Sequence, residues 1–213
     1  MEIPMQIRYD KLGAKVVKAL ESRFFEAWYF KETSDAAEKV FSLIPKTDTV
    51  SWGGSLTVAG LGITDMAAER GYKVIDRDKA SSPQERNELM RQALLCDTFL
   101  TGTNAISEDG QLVNIDGNGN RVAAMIFGPR QVIVVAGMNK VRKTMEVAFA
   151  RAKTIAAPAN MQRFPNLKTP CNTSGACEEC VCEDCICTFV VRTRICKPKG
   201  RIKVILIGKD LGL

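Results

Sequence analysis

Apolar residues fall at helical spacing early in the chain, with Leu12, Val16, Ala19 and Leu20 sharing a face between Lys11 and Leu20, and an extended apolar stretch runs from Phe24 to Phe30. A helix followed by a strand is expected. Ala36, Val40, Phe41 and Ile44 mark a second helix, with Asp35 and Glu38 spaced as a capping box and Pro45 at its end. Thr49 to Trp52 reads as a short strand entering Gly53-Gly54-Ser55, after which Leu56 to Arg70 reads as one helix stopped by Gly71. Lys73 to Asp76 is the next strand. Ser82-Pro83-Gln84-Glu85 then supplies a cap and a first-turn proline for a helix reaching Leu95, and Asp97 to Thr101 is a strand. Gln131 to Ala136 is an uninterrupted apolar run of the kind a buried parallel strand shows, and Met138 to Ala156 returns to helix. From Ala157 the composition changes: Pro158, Pro165 and Pro170 oppose any helix, six cysteines follow, and the chain resumes as two strand-like stretches, Thr188 to Arg194 and Arg201 to Ile207.

The stretch from Gly102 to Arg121 is rich in glycine and asparagine, as turns and ligand loops are. Leu112 to Ile115 and Val122 to Phe127 are expected to pair as a hairpin across residues 116–120. Strands alternating with helices predict an α/β fold with a predominantly parallel, layered sheet and a small antiparallel insertion at 112–127.

Length fits one domain covering residues 1–213, made of an N-terminal helical and strand portion (1–45), the sheet, and a cysteine-rich insertion (171–187). Apolar residues at 46% and charged residues at 25% are ordinary for a globular protein. No apolar run approaches the roughly 18 residues of a membrane helix, and Met1 to Met5 has no signal-peptide character, so the expected location is the cytoplasm. The net charge of +6 is spread along the chain, which points away from nucleic acid as a partner. The chain contains no histidine. Ser-His-Asp and Cys-His catalysis and every His-ligated metal site are therefore excluded, and any acid or base must be Glu, Asp, Lys, Cys or Tyr.

The strongest local signal is the cluster Cys171, Cys177, Cys180, Cys182, Cys185 and Cys187, with Cys196 shortly after and Cys96 far upstream. Cys177/Cys180 and Cys182/Cys185 are both C-x-x-C pairs, a spacing that lets two thiolates grip one metal from a tight turn. Four readings are open: an iron–sulfur cluster, which takes cysteine ligands by default; zinc, which here needs four thiolates; disulfides, which suit neither the compartment nor a chain with ample core; and free or redox-active thiols. Glu178, Glu179, Glu183 and Asp184 surround the cysteines with no base among them, a field that lowers the reduction potential of a cluster held there.

Two further constellations could hold a ligand. Gly53, Gly54 and Ser55 stand where a strand turns into a helix, a place where the backbone can approach an anion, although neither a P-loop nor a dinucleotide fingerprint is present. The other runs from Thr101, Gly102 and Asn104 through Glu108-Asp109-Gly110 to Asn114, Asp116, Gly117, Asn118, Gly119, Asn120 and Arg121. A carboxylate on such a loop can serve as base or nucleophile, and the amides can hold a carbonyl or carboxylate. Asn139 and Lys140 follow the apolar strand at 131–136, which places Lys140 toward the same crevice.

Trp52-Gly53-Gly54-Ser55, Thr103 to Gly110, Asn114 to Ala123, Phe127-Gly128-Pro129, Gly137-Met138-Asn139-Lys140 and the closing Gly208-Lys209-Asp210-Leu211-Gly212 together resemble the LUD-domain family, the proteins associated with lactate utilisation. The resemblance implies a Rossmann-like open sheet similar to the superfamily of ribose-5-phosphate isomerase, glucosamine-6-phosphate deaminase and CoA-transferases. Ser107-Glu108-Asp109-Gly110 looks like the loop that carries the CoA-transferase nucleophile, which makes Glu108 the implied catalytic residue. The family's Pro-Cys, Gly-x-Cys-x-x-Cys and later Cys pattern maps onto Cys171, Cys177, Cys180 and Cys187 as ligands of an iron–sulfur cluster, 4Fe-4S in type, with zinc the alternative; Cys182 and Cys185 are extra to that pattern. The implied role is assistance in oxidising lactate or a related 2-hydroxy acid, with a small anionic or carboxylate ligand, redox partner proteins, no membrane, and a homo-oligomer left open. A single cluster moves one electron at a time, so a partner with flavin or more clusters is implied. The competing classes are a group-transfer or isomerase-like enzyme using Glu108 with structural zinc, and a non-catalytic module sensing oxidant or iron.

Overall fold

The computed structural model describes residues 3–213; Met1 and Glu2, the start of the segment read for a signal peptide, lie outside the described residues. Six strands form a fully parallel sheet: β1 (Glu26–Phe30), β2 (Thr49–Trp52), β3 (Lys73–Ile75), β4 (Thr98–Thr101), β7 (Gln131–Gly137) and β10 (Ile202–Ile207), in the spatial order β3-β2-β4-β7-β10-β1. The central strands alternate between two cores. On β7, Val132, Val134 and Ala136 enter one cluster with Val16, Leu20 and Phe99, while Ile133 and Val135 enter the other with Val40, Val50 and Leu100. Burial on both faces explains the unbroken apolar run, because neither side of the strand meets water.

The covering helices are α1 (Ile3–Ser22), α2 (Thr33–Ser42), α3 (Leu56–Gly60), α4 (Ile63–Glu69), α5 (Pro83–Gln92) and α6 (Asn120–Ile126). The expected helix at 56–70 is two helices, since Gly62 at φ +67° breaks the path. Asp35 lies in the first turn of α2 and Glu32 occupies the cap without a side-chain bond, while Glu38 turns outward to Arg70, so that capping box does not form. At α5 the Ser82 hydroxyl accepts from the Glu85 N–H at 3.1 Å, but the Glu85 carboxylate bonds Ser81 and leaves the box half closed.

A second, four-stranded sheet is ordered β8 (Val141–Arg142), β5 (Ala105–Ser107), β6 (Leu112–Asp116) and β9 (Phe189–Thr193). It replaces the hairpin expected at 112–127. The Asp116 carboxylate accepts from the N–H groups of Gly119 (3.3 Å) and Val122 (3.1 Å), so the chain turns into α6 instead of returning as a strand. The partner of β6 arrives from beyond the cysteine segment, with Asn114 opposite Val191. The helix expected at 138–156 starts late: residues 138–140 form a 3-10 turn and β8 follows, before the Thr144 hydroxyl caps α7 (Met145–Arg151). A π segment, Ala152–Ala156, then runs into α8 (Ala157–Met161), where Pro158 sits in the first turn and does not break the helical path.

Candidate anion pocket and cysteine segment

Strands β2 and β4 are neighbours, but the chain leaves β2 toward β3 at one edge and leaves β4 toward β7 on the other side. Connections that diverge in this way open a crevice at the carboxyl ends of the two strands. A cavity of about 420 Å³ lies there. Gly54 and Ser55 follow β2, Thr101 ends β4 and Gly102 to Asn104 follow it, Asp116 ends β6 and Gly117 and Asn118 follow it, Asn120 and Arg121 open α6, and Lys140 follows β7. Of the residues singled out from the sequence, Gly53, Asn114, Gly119 and Asn139 do not line the cavity: Gly53 backs the Arg121 stem, Asn114 is buried behind Arg121, Gly119 packs on Phe189, and the Asn139 amide is spent on the Leu211 backbone.

The pocket is cationic. Arg77, Arg86, Arg121, Arg163 and Lys140 line it against two acidic side chains, Asp78 and Asp116, with Leu213, whose oxygen accepts from Arg151, also in the wall. Arg86 is paired with Asp78 at 2.8 Å and Arg121 with Asp116 at 3.5 Å. Among the described residues Arg163 and Lys140 have no carboxylate within ion-pair distance, and the Arg77 Nε is buried without a hydrogen-bond partner, 4.0 Å from Asp78. Arg121 is fixed in place, donating to Asn114 Oδ1 (2.6 Å), Asn104 Oδ1 (3.1 Å) and the Ile115 carbonyl (2.6 Å). Burial pushes the pKa values of Arg77 and Arg121 below the usual guanidinium range. Lys140 is only 4% exposed and donates to Thr57 Oγ1 at 3.0 Å; burial first, then the Arg151 and Arg121 charges, push its pKa down to about 7. Buried cations without acidic partners favour an anionic occupant.

Glu108 is outside this cavity. Its carboxylate bonds Lys15 at 2.8 Å and Lys143 at 3.1 Å, and those contacts, that with Lys15 foremost, hold its pKa below the usual carboxylate range. Sequence reasoning missed Arg77, Asp78, Arg86, Asn160 and Arg163, which come from segments with ordinary surface composition. Ile186 was missed as well.

All eight cysteines carry free thiols. Cys96 and Cys196 are buried in the core cluster that holds Val16 and Phe99, apart from the others in role: the Cys96 thiol donates to the Thr98 carbonyl and the Cys196 sulfur accepts from the Ile202 N–H. The other six lie in a polar segment tied down by the Lys168 N–H on Asp184 (2.7 Å), Lys153 on Glu179 (2.6 Å) and Gln162 on the Cys171 carbonyl (2.9 Å). Burial pushes the Cys187 thiol up to about 12, and the nearby thiols of Cys185, Cys177 and Cys171 add to it; Cys180 is likewise pushed up to about 12 by burial and by Cys182 and Cys185. The Cys187 N–H donates to the Cys185 sulfur at 3.4 Å. Among the described residues no three such side chains are arranged to hold a metal as they stand. The donor set, six unpaired sulfurs on an exposed segment with no imidazole nearby, nevertheless suits an all-thiolate iron–sulfur cluster or zinc. Cys171, Cys177 and Cys187 are the residues that would hold it, with Cys180 or Cys185 as the fourth.

The cysteine segment also reaches the pocket. Ile186, between Cys185 and Cys187, lines the cavity, and a Cβ on Gly117 would stand 3.3 Å from the Ile186 Cα.

An open parallel α/β sheet with a polar crevice at its switch point is the class these features define. The LUD domain model matches residues 13–207, and the chain belongs to the LUD-domain family. It is similar to the crystal structure of a DUF162 family protein from Deinococcus radiodurans, with a TM-score of 0.51, 13% identity, and 93% of this chain and 98% of that one covered. Partial likenesses are ribose 5 phosphate isomerase A from Neisseria gonorrhoeae (TM-score 0.34, 15% identity, 53% of this chain and 54% of that one) and 5-methylthioribose 1-phosphate isomerase from Pyrococcus horikoshii (TM-score 0.36, 14% identity, 76% and 50%). No curated protein matches the chain. Among the described residues no helix is long and apolar enough to cross a membrane.

Proposed function

We propose that this chain is a cytoplasmic iron–sulfur protein that binds a small 2-hydroxy or 2-oxo carboxylate and assists the oxidation of lactate or a related acid within a larger redox complex. The observation that carries this reading is Ile186: the segment bearing the candidate cluster ligands shares a wall with the cationic pocket. The cluster supplies one-electron transfer, so the two-electron oxidation needs a partner protein carrying flavin or further clusters. Within the pocket, the partly buried Arg77 and the exposed Arg163 at the rim offer guanidinium N–H groups to a carboxylate, a pairing strengthened at Arg77 by its burial. Gly54 and Gly102 keep the rim open: a Cβ on Gly54 would stand 2.7 Å from Arg77 Nη2, and one on Gly102 would stand 2.7 Å from Ser55 Oγ. Asn104 and Asn114 hold Arg121 from behind, so its charge is present before the ligand arrives.

The test is spectroscopic. Protein reconstituted anaerobically with iron and sulfide is reduced, and its electron paramagnetic resonance spectrum is recorded with and without lactate or pyruvate. The shared wall predicts a cluster signal that shifts on ligand addition in the wild type and not in Arg77→Met. A signal indifferent to both acids at saturating concentration removes the link between pocket and cluster.

A further inference from the structure

Lys140 is the least expected side chain in the pocket. A lysine ammonium at the bottom of a cavity normally carries a carboxylate partner, because burying an unpaired charge is costly. Facing it are Arg121 from α6, Arg151 from α7, Thr57 from α3 and the closing Gly212-Leu213, whose Leu213 oxygen is taken by Arg151 at 3.2 Å; among the described residues no carboxylate side chain lies within ion-pair distance of it. The Thr57 hydroxyl points its own hydrogen toward the Leu211 carbonyl at 3.4 Å and accepts from Nζ at 3.0 Å. An uncharged Lys140 therefore spends an N–H on Thr57 and keeps its lone pair unused. That lone pair belongs to an amine lining the cavity built to receive an anion.

We infer that Lys140 is a carbonyl-capturing amine, which forms an imine with the keto group of a small 2-oxo acid held in the pocket. This rests on the reading that the pocket takes a small carboxylate. In the step, the Nζ lone pair adds to the keto carbon and a C–N bond forms. The carbonyl oxygen leaves as water, carrying both amine hydrogens, and a C=N bond remains; no electrons are gained or lost, so no oxidant is required. The Thr57 hydroxyl, already bonded to Nζ, is placed to pass a proton during the exchange. Burial and the flanking guanidinium groups supply what the amine needs as a nucleophile, since they disfavour its ammonium form. The acid's carboxylate meets the arginines of the same cavity, which distinguishes a 2-oxo acid from a simple aldehyde. A 2-hydroxy acid has no carbonyl and binds without capture.

Sodium cyanoborohydride reduces an imine to a stable secondary amine. The chain is incubated with pyruvate and this reagent, its mass is measured intact, and the modified peptide is mapped, for wild type, Lys140→Arg and Lys140→Met, while calorimetry follows pyruvate and lactate binding without reductant. One reduced pyruvyl adduct on Lys140, protected by excess lactate and formed at least about tenfold faster than any adduct on either variant, supports the inference. Pyruvate that binds by calorimetry but leaves Lys140 unmodified overturns the imine and leaves the carboxylate reading standing. Absence of both binding and adduct overturns both. Adducts scattered over surface lysines at equal rates in all three proteins also overturn it.

Discussion

Replacing Lys140 by methionine should make the protein more stable while disabling the pocket. In the folded chain the amine titrates at about 7 against an ordinary value of 10.5, a gap that corresponds to about 5 kcal/mol disfavouring the ammonium. The folded value is the lower one, so the unfolded chain binds more protons between about pH 7 and pH 10.5, and wild-type stability rises with pH across that window. The penalty is complete below pH 7, about 4 kcal/mol at pH 7 and about 2 kcal/mol at pH 9. Methionine removes it and forfeits the bond to Thr57, which is worth about 1 kcal/mol. Lys140→Met should therefore gain about 3 kcal/mol at pH 7, and its advantage should shrink by about 2 kcal/mol by pH 9. Urea unfolding of the metal-free protein, in a buffer free of phosphate and carboxylates that would occupy the pocket, measures both numbers. A variant less stable than wild type at pH 7, or a difference independent of pH, would refute the reasoning.

Other perturbations probe different parts of the molecule. Arg77→Met removes the guanidinium whose Nε is buried without a partner, and should weaken pyruvate or lactate binding by about tenfold or more in calorimetry, consistent with about 1.5 to 3 kcal/mol for a charge-assisted bond. Gly117→Val pushes against the Ile186 backbone and should accelerate iron loss to a chelator; unchanged release would show that the contact does not hold the cysteine segment. Glu108→Gln breaks the bonds to Lys15 and Lys143 and should cost no more than about 1 kcal/mol in urea unfolding with ligand affinity intact, whereas lost affinity would restore the role implied by its loop. Ile133→Ala, in the fully buried centre of β7, should cost about 2 to 5 kcal/mol, read from the same unfolding transitions.

The parallel sheet was legible because its central strands are apolar on both faces and bounded by turn residues, as at Gln131 to Ala136. Local pattern failed where a distant partner or one side chain decided the outcome. Leu112 to Asp116 is a strand, but its mate is Phe189–Thr193, and the residues beside it became helix because the Asp116 carboxylate captured two backbone N–H groups. The glycine- and asparagine-rich loops announced most of the pocket floor, since backbone must come close there. Its cationic wall did not show. Arg77, Arg86 and Arg163 sit in stretches whose charge looks like solvated surface, and only the fold brings them to one cavity. The adjacency of cysteines and pocket was equally hidden, because it depends on Ile186 meeting Gly117 across about seventy residues of chain.

Iron and acid-labile sulfide in protein purified without oxygen test the central claim most directly. A brown protein with about four of each per chain, lost when Cys171, Cys177 and Cys187 are replaced by serine, is the predicted result. A colourless protein with one zinc per chain, or with these sulfurs joined in disulfides, would contradict it.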